Sequence, residues 1–346
     1  MDYVLPLEHC GRSVLDRVGG KAVGLWELLR RGLPVPAGFA VTTHAYREFV
    51  RSERLDREIR WWVERARESV DAQLEASRRI GQLFTERRPP AFLTEEVARA
   101  YGQLGEPPVA VRSSAVGEDA RTASFAGEHE SYLWVCGYEE VAASVLRCWA
   151  SLFSPQALSY FAHLGADPAE AAMGVVVQHM VDAQVAGVMI TLDPVTGDPS
   201  QVTVEASYGL GLAVVGGEVT PDRFAVDKVT LEARSSRVGH KTVAYRYDPS
   251  QGRVAAFPVP EEMAGQPCLR LEQVQQLAQM GRQLERELGR AQDVEWALDG
   301  DGRLYLVQTR PETVWSNRPR APLSNPEEPM LSRILRSMRI PMRIAD

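Results

Sequence analysis

Between residues 293 and 311 hydrophobic and polar positions alternate with a period of two on either side of a turn. Asp293-Val-Glu-Trp-Ala-Leu runs into Asp-Gly-Asp-Gly, and Arg303-Leu-Tyr-Leu-Val-Gln-Thr-Arg-Pro311 follows. Two short runs rich in β-formers around an Asp/Gly turn predict an antiparallel hairpin. The alternation puts Asp293, Glu295 and Ala297 on one face and Val294, Trp296 and Leu298 on the other, while Gln308 and Arg310 share a face of the return strand. With the tight turn that Asp-Gly-Asp-Gly suggests, Asp293 lies opposite Gln308.

Elsewhere the period changes. Residues 18–34 read as a Gly loop entering a helix that stops at Gly32 and Pro34. A strand at 36–43 leads into 44–88, where a charged 3.6-residue pattern predicts two or three helices with Tyr46, Phe49, Ile59, Trp62, Leu74 and Ile80 as the buried positions. Further helices are expected at 139–153 and at 154–164, the second capped by Ser154 with Pro155 at its first position. Near residue 170 the pattern turns to strands, at 174–181, 185–192 and 202–206. Residues 223–258 read as an antiparallel meander with Lys228 and Lys241 exposed, and 271–288 as an amphipathic helix closed by Gly289. The expected division is therefore two lobes, 1–170 and 171–315, and a Pro- and Arg-rich tail, 316–346, that is a linker or an interaction segment.

A chain of 346 residues can bury a core large enough for two lobes. The net charge of -7 argues against a nucleic-acid surface. No apolar run has the length to cross a bilayer and the first residues lack a secretory signal, so a cytoplasmic protein with no membrane partner is expected. Cys10, Cys136, Cys148 and Cys268 show no CxxC spacing, which suits small buried hydrophobes rather than zinc ligands or disulfides. The histidines form no metal pair. Only Lys21, Lys228 and Lys241 are lysines among 39 basic residues, which makes Lys21, beside Gly19-Gly20, the one to explain.

Several stretches carry candidate chemistry. Asp293 and Glu295 with the amide oxygen of Gln308 suit a hard cation such as Mg²⁺, and Arg310 beside them suits a phosphate. The alternative is an amphipathic hairpin with a solvated face. Gly19-Gly-Lys21 at a helix start is an anion site or merely a turn; Leu15 and Ala22 exclude a Walker A loop. The strand from Val109 delivers Arg112, Ser113 and Ser114 into a Gly-containing loop, a phosphate clamp with a lid or a surface loop with a helix cap at Ser113 or Ser114. Gln178-His-Met-Val181 ends a buried strand that either offers main-chain groups to a flat heterocycle, with Met180 or Val181 on its face, or is plain core. Glu205 enters a Gly-rich turn and would hold ribose hydroxyls or a structural ion pair. Val214 stands where a dinucleotide fingerprint needs its third glycine, so a Rossmann site is excluded.

Taken together, Gly19-Gly-Lys-Ala-Val-Gly-Leu, Val111-Arg-Ser-Ser-Ala with Ser124-Phe-Ala-Gly127, Asp193-Pro-Val-Thr-Gly197, Glu205-Ala-Ser-Tyr-Gly-Leu-Gly211 and Asp293-Val-Glu-Trp with Val307-Gln-Thr-Arg-Pro311 resemble the ATP-binding region of phosphoenolpyruvate synthase. Pyruvate phosphate dikinase, rifampicin phosphotransferase and the ATP-binding subunit of phenylphosphate synthase share that region. The resemblance covers residues from about 10 to 315. It implies an α+β, two-lobed ATP-grasp-like fold that clasps Mg-ATP. Lys21, Arg112 and Arg310 would bind the phosphates and supply the catalytic charge, with Ser124 and Gly127 also on the nucleotide. Glu205 would bind the ribose, Gln178, Met180 and Val181 the adenine, and Glu295 and Gln308 the metal with Asp293 nearby.

Two departures stand out. Leu212 occupies a position where relatives often carry Glu, and none of the six histidines lies in the Gly-rich, Ser-His context of the relatives' phosphorylated domain. The resemblance therefore implies a stand-alone ATP-binding subunit that phosphorylates a histidine on a separate partner protein, giving AMP and phosphate. The alternatives are a direct kinase of a small molecule and a non-catalytic ATP-binding regulator.

Overall fold

The computed structural model describes residues 2–115, 130–164 and 171–316, with 162–164 as backbone alone. Ser124, Gly127 and the tail from 317 lie outside the described residues. Met1–Glu312 packs as one unit and Thr313–Asp346 forms a second, of which the described part is a turn at 314–316.

Strand β1 (Val4–Pro6) leads into helix α1 (Leu15–Leu29), and β2 (Gly38–Val41) follows. The charged periodic stretch folds as three helices, α2 (Thr43–Ser52), α3 (Asp56–Arg65) and α4 (Val70–Thr85). Tyr46, Phe49, Ile59 and Ile80 are buried as expected, but Leu74 is 53% exposed. The stripe that α4 buries is Ala76, Ile80 and Phe84, four residues apart, and Leu74 lies about 200° round the helix from Ala76. Next come α5 (Ala91–Gln103), β3 (Val109–Ala115), β4 (Ser131–Val135), α6 (Tyr138–Ser151), α7 (Pro155–Leu164) and β5 (Met173–His179). Ser154 caps α7, its Oγ accepting from the Ala157 amide at 3.2 Å.

These five strands form one antiparallel sheet in the order β1-β2-β5-β3-β4. The central strands are apolar on both faces because both are covered. Val175 and Val177 enter a core with Phe49, Phe84 and Trp149 from the helices, while Val176 and Ala40 meet Ala22 and Leu25 of α1 on the other side.

The chain crosses to a second sheet at 180–182, so that β5 belongs to the first. There follow β6 (Ala183–Ile190), β7 (Gln201–Tyr208), the short α8 (Leu212–Val215), β8 (Asp222–Asp227), β9 (Ala233–Arg237), β10 (Val243–Asp248), β11 (Arg253–Pro258), α9 (Glu261–Ala264), α10 (Leu271–Leu288), β12 (Gln292–Asp299) and β13 (Leu304–Pro311). Six of these strands make an antiparallel sheet, β13-β12-β6-β7-β8-β9, and β10 and β11 form a separate two-stranded sheet. Helix α10 buries Val274, Leu277 and Leu284 beneath Met189, Val204, Val294 and Trp296. The expected α+β class is what the chain forms, built on two antiparallel sheets. No helix among the described residues is long and apolar enough to cross a membrane.

Three expectations are corrected. Asp293 pairs with Arg310 and Glu295 with Gln308, not Asp293 with Gln308. Two extra residues separate the registers. The hairpin loop holds three residues, closed by Asp299 and Arg303 with Gly302 at φ 81°, and a bulge at Val307 adds one more. Neither lysine of the meander is exposed. Lys241 is 0% exposed and reaches Asp222 at 2.5 Å, while Lys228 donates to the Thr191 and Pro199 carbonyls at 2.6 and 2.7 Å and pairs with Glu285. Cys136 is exposed, whereas Cys10 and Cys148 are buried and Cys268 is half-buried; all four are free thiols.

Candidate functional site

A cleft of about 850 Å³, counted to its open mouth, lies between the two sheets. Its apolar end is made by the end of β5 on one side and by small residues of the second sheet on the other. Met180 and Val181 pack with Ala183, Ala186, Leu210 and Ala297. Ala186 and Ala297 are cross-strand partners, so the sheet offers a flat shelf there. The main chain of the strand end is largely used: the His179 amide donates to Ala37 O at 2.8 Å and the Met180 amide to Pro108 O at 2.9 Å. Gln178, 2% exposed, turns its Nε2 to Pro36 O at 3.3 Å. Met180 and Val181 therefore serve this end chiefly as apolar walls.

The polar end is built by β3 and the β12–β13 hairpin. Arg112 reaches out of the first sheet, its Nη2 donating to Glu295 Oε2 at 2.7 Å and its Nη1 to Val307 O at 3.1 Å. The bulge at Val307 makes that carbonyl available, since a bulge leaves a residue outside the ladder. Gln308, opposite Glu295, is 7% exposed and its Oε1 is buried without a hydrogen-bond partner. Arg310 holds the Asp293 carboxylate through Nε at 2.9 Å and Nη2 at 2.7 Å. Burial raises the Asp293 pKa; Arg310 opposes this and the charges of Glu295 and Glu312 add to it.

The oxygens of Glu295, Asp293 and Gln308 fit a hard divalent cation, and an orphaned buried acceptor is the kind of group such an ion satisfies. No group of three or more His, Cys, Asp or Glu among the described residues could hold a metal. A cation here would therefore have few protein ligands, as is usual for Mg²⁺ that shares phosphate oxygens.

Register extends this surface sideways. Gln308, Glu295, Val188, Glu205 and Arg223 are successive partners across five strands, so their side chains share one face. Glu205 thus lies two strands, about 10 Å, from Glu295. Arg223 is a cation that sequence reasoning missed, because its position opposite Glu205 depends on β7–β8 pairing. Its Nη2 lies 3.4 Å from Asp193 Oδ1, and Asp193 in turn accepts from the Val195 and Thr196 amides at 2.7 and 3.0 Å. The Asp193-Pro-Val-Thr-Gly197 motif is thereby accounted for as a self-capped loop. Thr203 and Ser207 share the face, and both hydroxyls are buried without partners.

Lys21 follows the kink of α1. Gly19 has φ 78°, and a Cβ there would stand 2.0 Å from Ser114 O, which only glycine avoids. Ser114 Oγ accepts from the Ala22 amide at 3.3 Å, which ties it to a helix 92 positions earlier. The start of α1 and the end of β3 are thus locked together, with Lys21 and Arg112 on adjoining elements. Arg112, Gln178, Met180, Val181 and Glu295 line the cleft itself; Lys21, Glu205, Asp293, Gln308 and Arg310 do not.

The model of the family described as "Pyruvate phosphate dikinase, AMP/ATP-binding domain" matches residues 15–329. A probable phosphoenolpyruvate synthase of Staphylothermus marinus is 39% identical over 349 residues, 91% of this chain and 42% of that protein. Prodigiosin synthesizing transferase PigC of Serratia marcescens is 38% identical over 331 residues, 95% of this chain and 35% of that protein. Among solved structures, the ADP complex of N5-carboxyaminoimidazole ribonucleotide synthetase aligns over 88% of this chain and 48% of that one at 13% identity and a TM-score of 0.35, too faint a likeness to bear on the site. The chain spans less than half the length of these curated relatives. It belongs to the pyruvate phosphate dikinase AMP/ATP-binding-domain family.

Proposed function

We propose that the chain binds Mg-ATP in the cleft and acts as the ATP-binding part of a dikinase-type phosphotransferase, phosphorylating a histidine carried by a separate protein and leaving AMP and phosphate. The observation that carries this reading is the convergence of Arg112 from one sheet with Glu295, Gln308 and the Asp293–Arg310 pair from the other, in a chain of this family.

Adenine enters the apolar end, flat on Ala186 and Ala297 beneath Met180 and Val181, with Gln178 behind them. Glu205 takes the ribose hydroxyls. Arg112, Arg310 and Lys21 offset charge on the phosphates, with Ser124 and Gly127 as further nucleotide contacts. Glu295 and Gln308 hold Mg²⁺ with Asp293 beside them, and when bound the ion neutralises phosphate charge. Catalysis by these residues is positioning and charge stabilisation rather than covalent chemistry. To serve phosphate, Arg112 must exchange Glu295 for a phosphate oxygen, an exchange its planar fork allows.

The test begins with purification of the chain from the cells that make it, with Mg-ATP present, and identification of what accompanies it. The reconstituted pair should convert ATP to AMP and phosphate and label the partner on a histidine. ADP as the product would replace this reading with a direct kinase. Nucleotide binding with no turnover in the presence of every partner would replace it with a sensor.

A further inference from the structure

β4 departs from regular pairing at one place. Val109 pairs with Val135 and Val111 with Tyr132, so Leu133 and Trp134 together face the single residue Ala110. Such a bulge often puts its left-handed position on glycine. Here that conformation falls on Trp134, at φ 62°, where a Cβ is crowded. Strain of this kind persists only where the surroundings impose it, and it clusters where it serves function.

The gain lies in where the two side chains go. Leu133 lines the cleft, and the Trp134 indole lies flat on Tyr247, with ring centroids 4.8 Å apart and an interplanar angle of 9°. Tyr247 belongs to β10, whose only partner strand among the described residues is β11. A two-stranded hairpin is marginal by itself and depends on what holds it. At its base the Leu210 amide donates to Tyr245 O at 2.8 Å. Tyr245, Tyr247 and Val254 share one face of the hairpin, and Tyr245 and Val254 pack against the apolar cluster of Ala183, Ala186, Leu210 and Ala297, residues that line the cleft. Beside that packing an open groove is lined by residues of β4, α6 and the hairpin, Tyr132, Arg147 and Arg253 among them. The indole–phenol stack forms part of its wall and joins the two elements.

We infer that the Trp134–Tyr247 stack is a clasp between the first sheet and the β10–β11 hairpin, which holds Tyr245 and Val254 against the residues that wall the apolar end of the cleft and slows nucleotide release. Trp134 and Tyr247 are positioning residues; neither touches the reacting phosphates. The inference rests on the nucleotide reading of the cleft given above.

The test compares Trp134→Gly with Trp134→Ala. Both remove the indole, but glycine also relieves the backbone at φ 62°, so the glycine variant should melt about 2 °C above the alanine one. In a stopped-flow chase both should release N-methylanthraniloyl-ADP about tenfold faster than wild type, equivalent to ~1.4 kcal/mol and the scale of one aromatic pair. Association should barely change. Tyr247→Leu should match them, Tyr247→Phe should keep the wild-type rate, and Trp134→Ala with Tyr247→Leu should be no faster than either alone. Unchanged release in the Trp134 variants and in Tyr247→Leu overturns the clasp; if the Trp134 variants unfold, the Tyr247 pair decides. A wild type that does not bind the probe overturns the nucleotide reading, and the clasp with it.

Discussion

Replacing Glu295 by Gln separates two things the carboxylate does, and the structure sets the size of each. It accepts from Arg112 at 2.7 Å with side-chain exposures of 28% for Glu295 and 14% for Arg112. A charge-assisted bond of this kind contributes about 1.5–3 kcal/mol when buried. Partial exposure lowers that, and the glutamine oxygen still accepts, so the variant should lose about 1 kcal/mol of stability and remain folded. The second loss is a full negative charge beside the orphaned Gln308 oxygen, where the proposed cation sits. Binding of ADP, measured by calorimetry over a series of Mg²⁺ concentrations, should tighten with the metal in wild type. In the variant that tightening should fall by about a hundredfold, ~2.7 kcal/mol, while metal-free binding stays within about threefold. A variant whose ADP affinity responds to Mg²⁺ as wild type does would refute the metal assignment. A collapse of metal-free binding would instead make Glu295 chiefly the holder of Arg112.

Three further outcomes follow from the packing. Asp222 and Lys241 are both 0% exposed, and Asp222 also accepts from the Gly239 and Cys268 amides at 2.9 and 2.8 Å. Asp222→Asn leaves a buried ammonium uncompensated and should cost about 4 kcal/mol, lowering the melting temperature by roughly 10 °C, whereas Lys241→Met should cost less because Asp222 keeps both amides. Burial alone would raise the pKa of Glu27, but hydrogen bonds and charge from Arg31 and Arg12 outweigh it and hold the carboxyl below its ordinary range. Its contribution is therefore present above the ordinary carboxylate pKa and lost as pH falls through the folded value. In urea melts Glu27→Gln should lose about 2 kcal/mol at neutral pH, and the gap should close on acidification. Burial pushes the Cys10 thiol up to about 12 and raises Cys148 and Cys268 as well. Mass spectrometry after brief alkylation of the native protein at mildly alkaline pH should thus find one modified cysteine, Cys136, and modification of Cys148 at the same rate would contradict the core described above.

What could be read from the sequence was what is local. The alternation from Asp293 to Arg310 fixes which side chains share a face, and the hairpin has them so. Their register was not legible, because a loop of three residues and a bulge at Val307 together shift it by two, and neither has a signal stronger than the Asp-Gly pattern that suggested a tighter turn. Arg223 and the Trp134 bulge were missed, and the partner of Ser114 was not legible, for a related reason. Each owes its place to a partner far along the chain, respectively Glu205 across β7–β8, Ala110 opposite two residues, and the kink of α1.

The lysines show how a local argument can be incomplete and still point the right way. In a chain that uses arginine almost throughout, a lysine marks a special site, and the sequence points to Lys21 alone. Both others turn out to occupy sites that a planar fork would fill poorly. Lys241 divides its protons between Asp222 and Gly239 O, and Lys228 between the Thr191 and Pro199 carbonyls and Glu285. An ammonium is a compact point charge whose donors turn freely about the stem, and it suits acceptors that converge on one point better than the larger planar fork does. The rule that emerges is that lysine stands here where acceptors converge on a small cation. A triphosphate bending past the Gly19-Gly20 turn would make the same demand on Lys21. Lys21→Arg, which keeps the charge and changes only its shape, should then weaken ADP binding by about tenfold, close to the effect of Lys21→Met in the same calorimetric titration. If Lys21→Arg binds as wild type does, charge alone suffices at that position, and the argument from shape fails for the one lysine it was meant to explain.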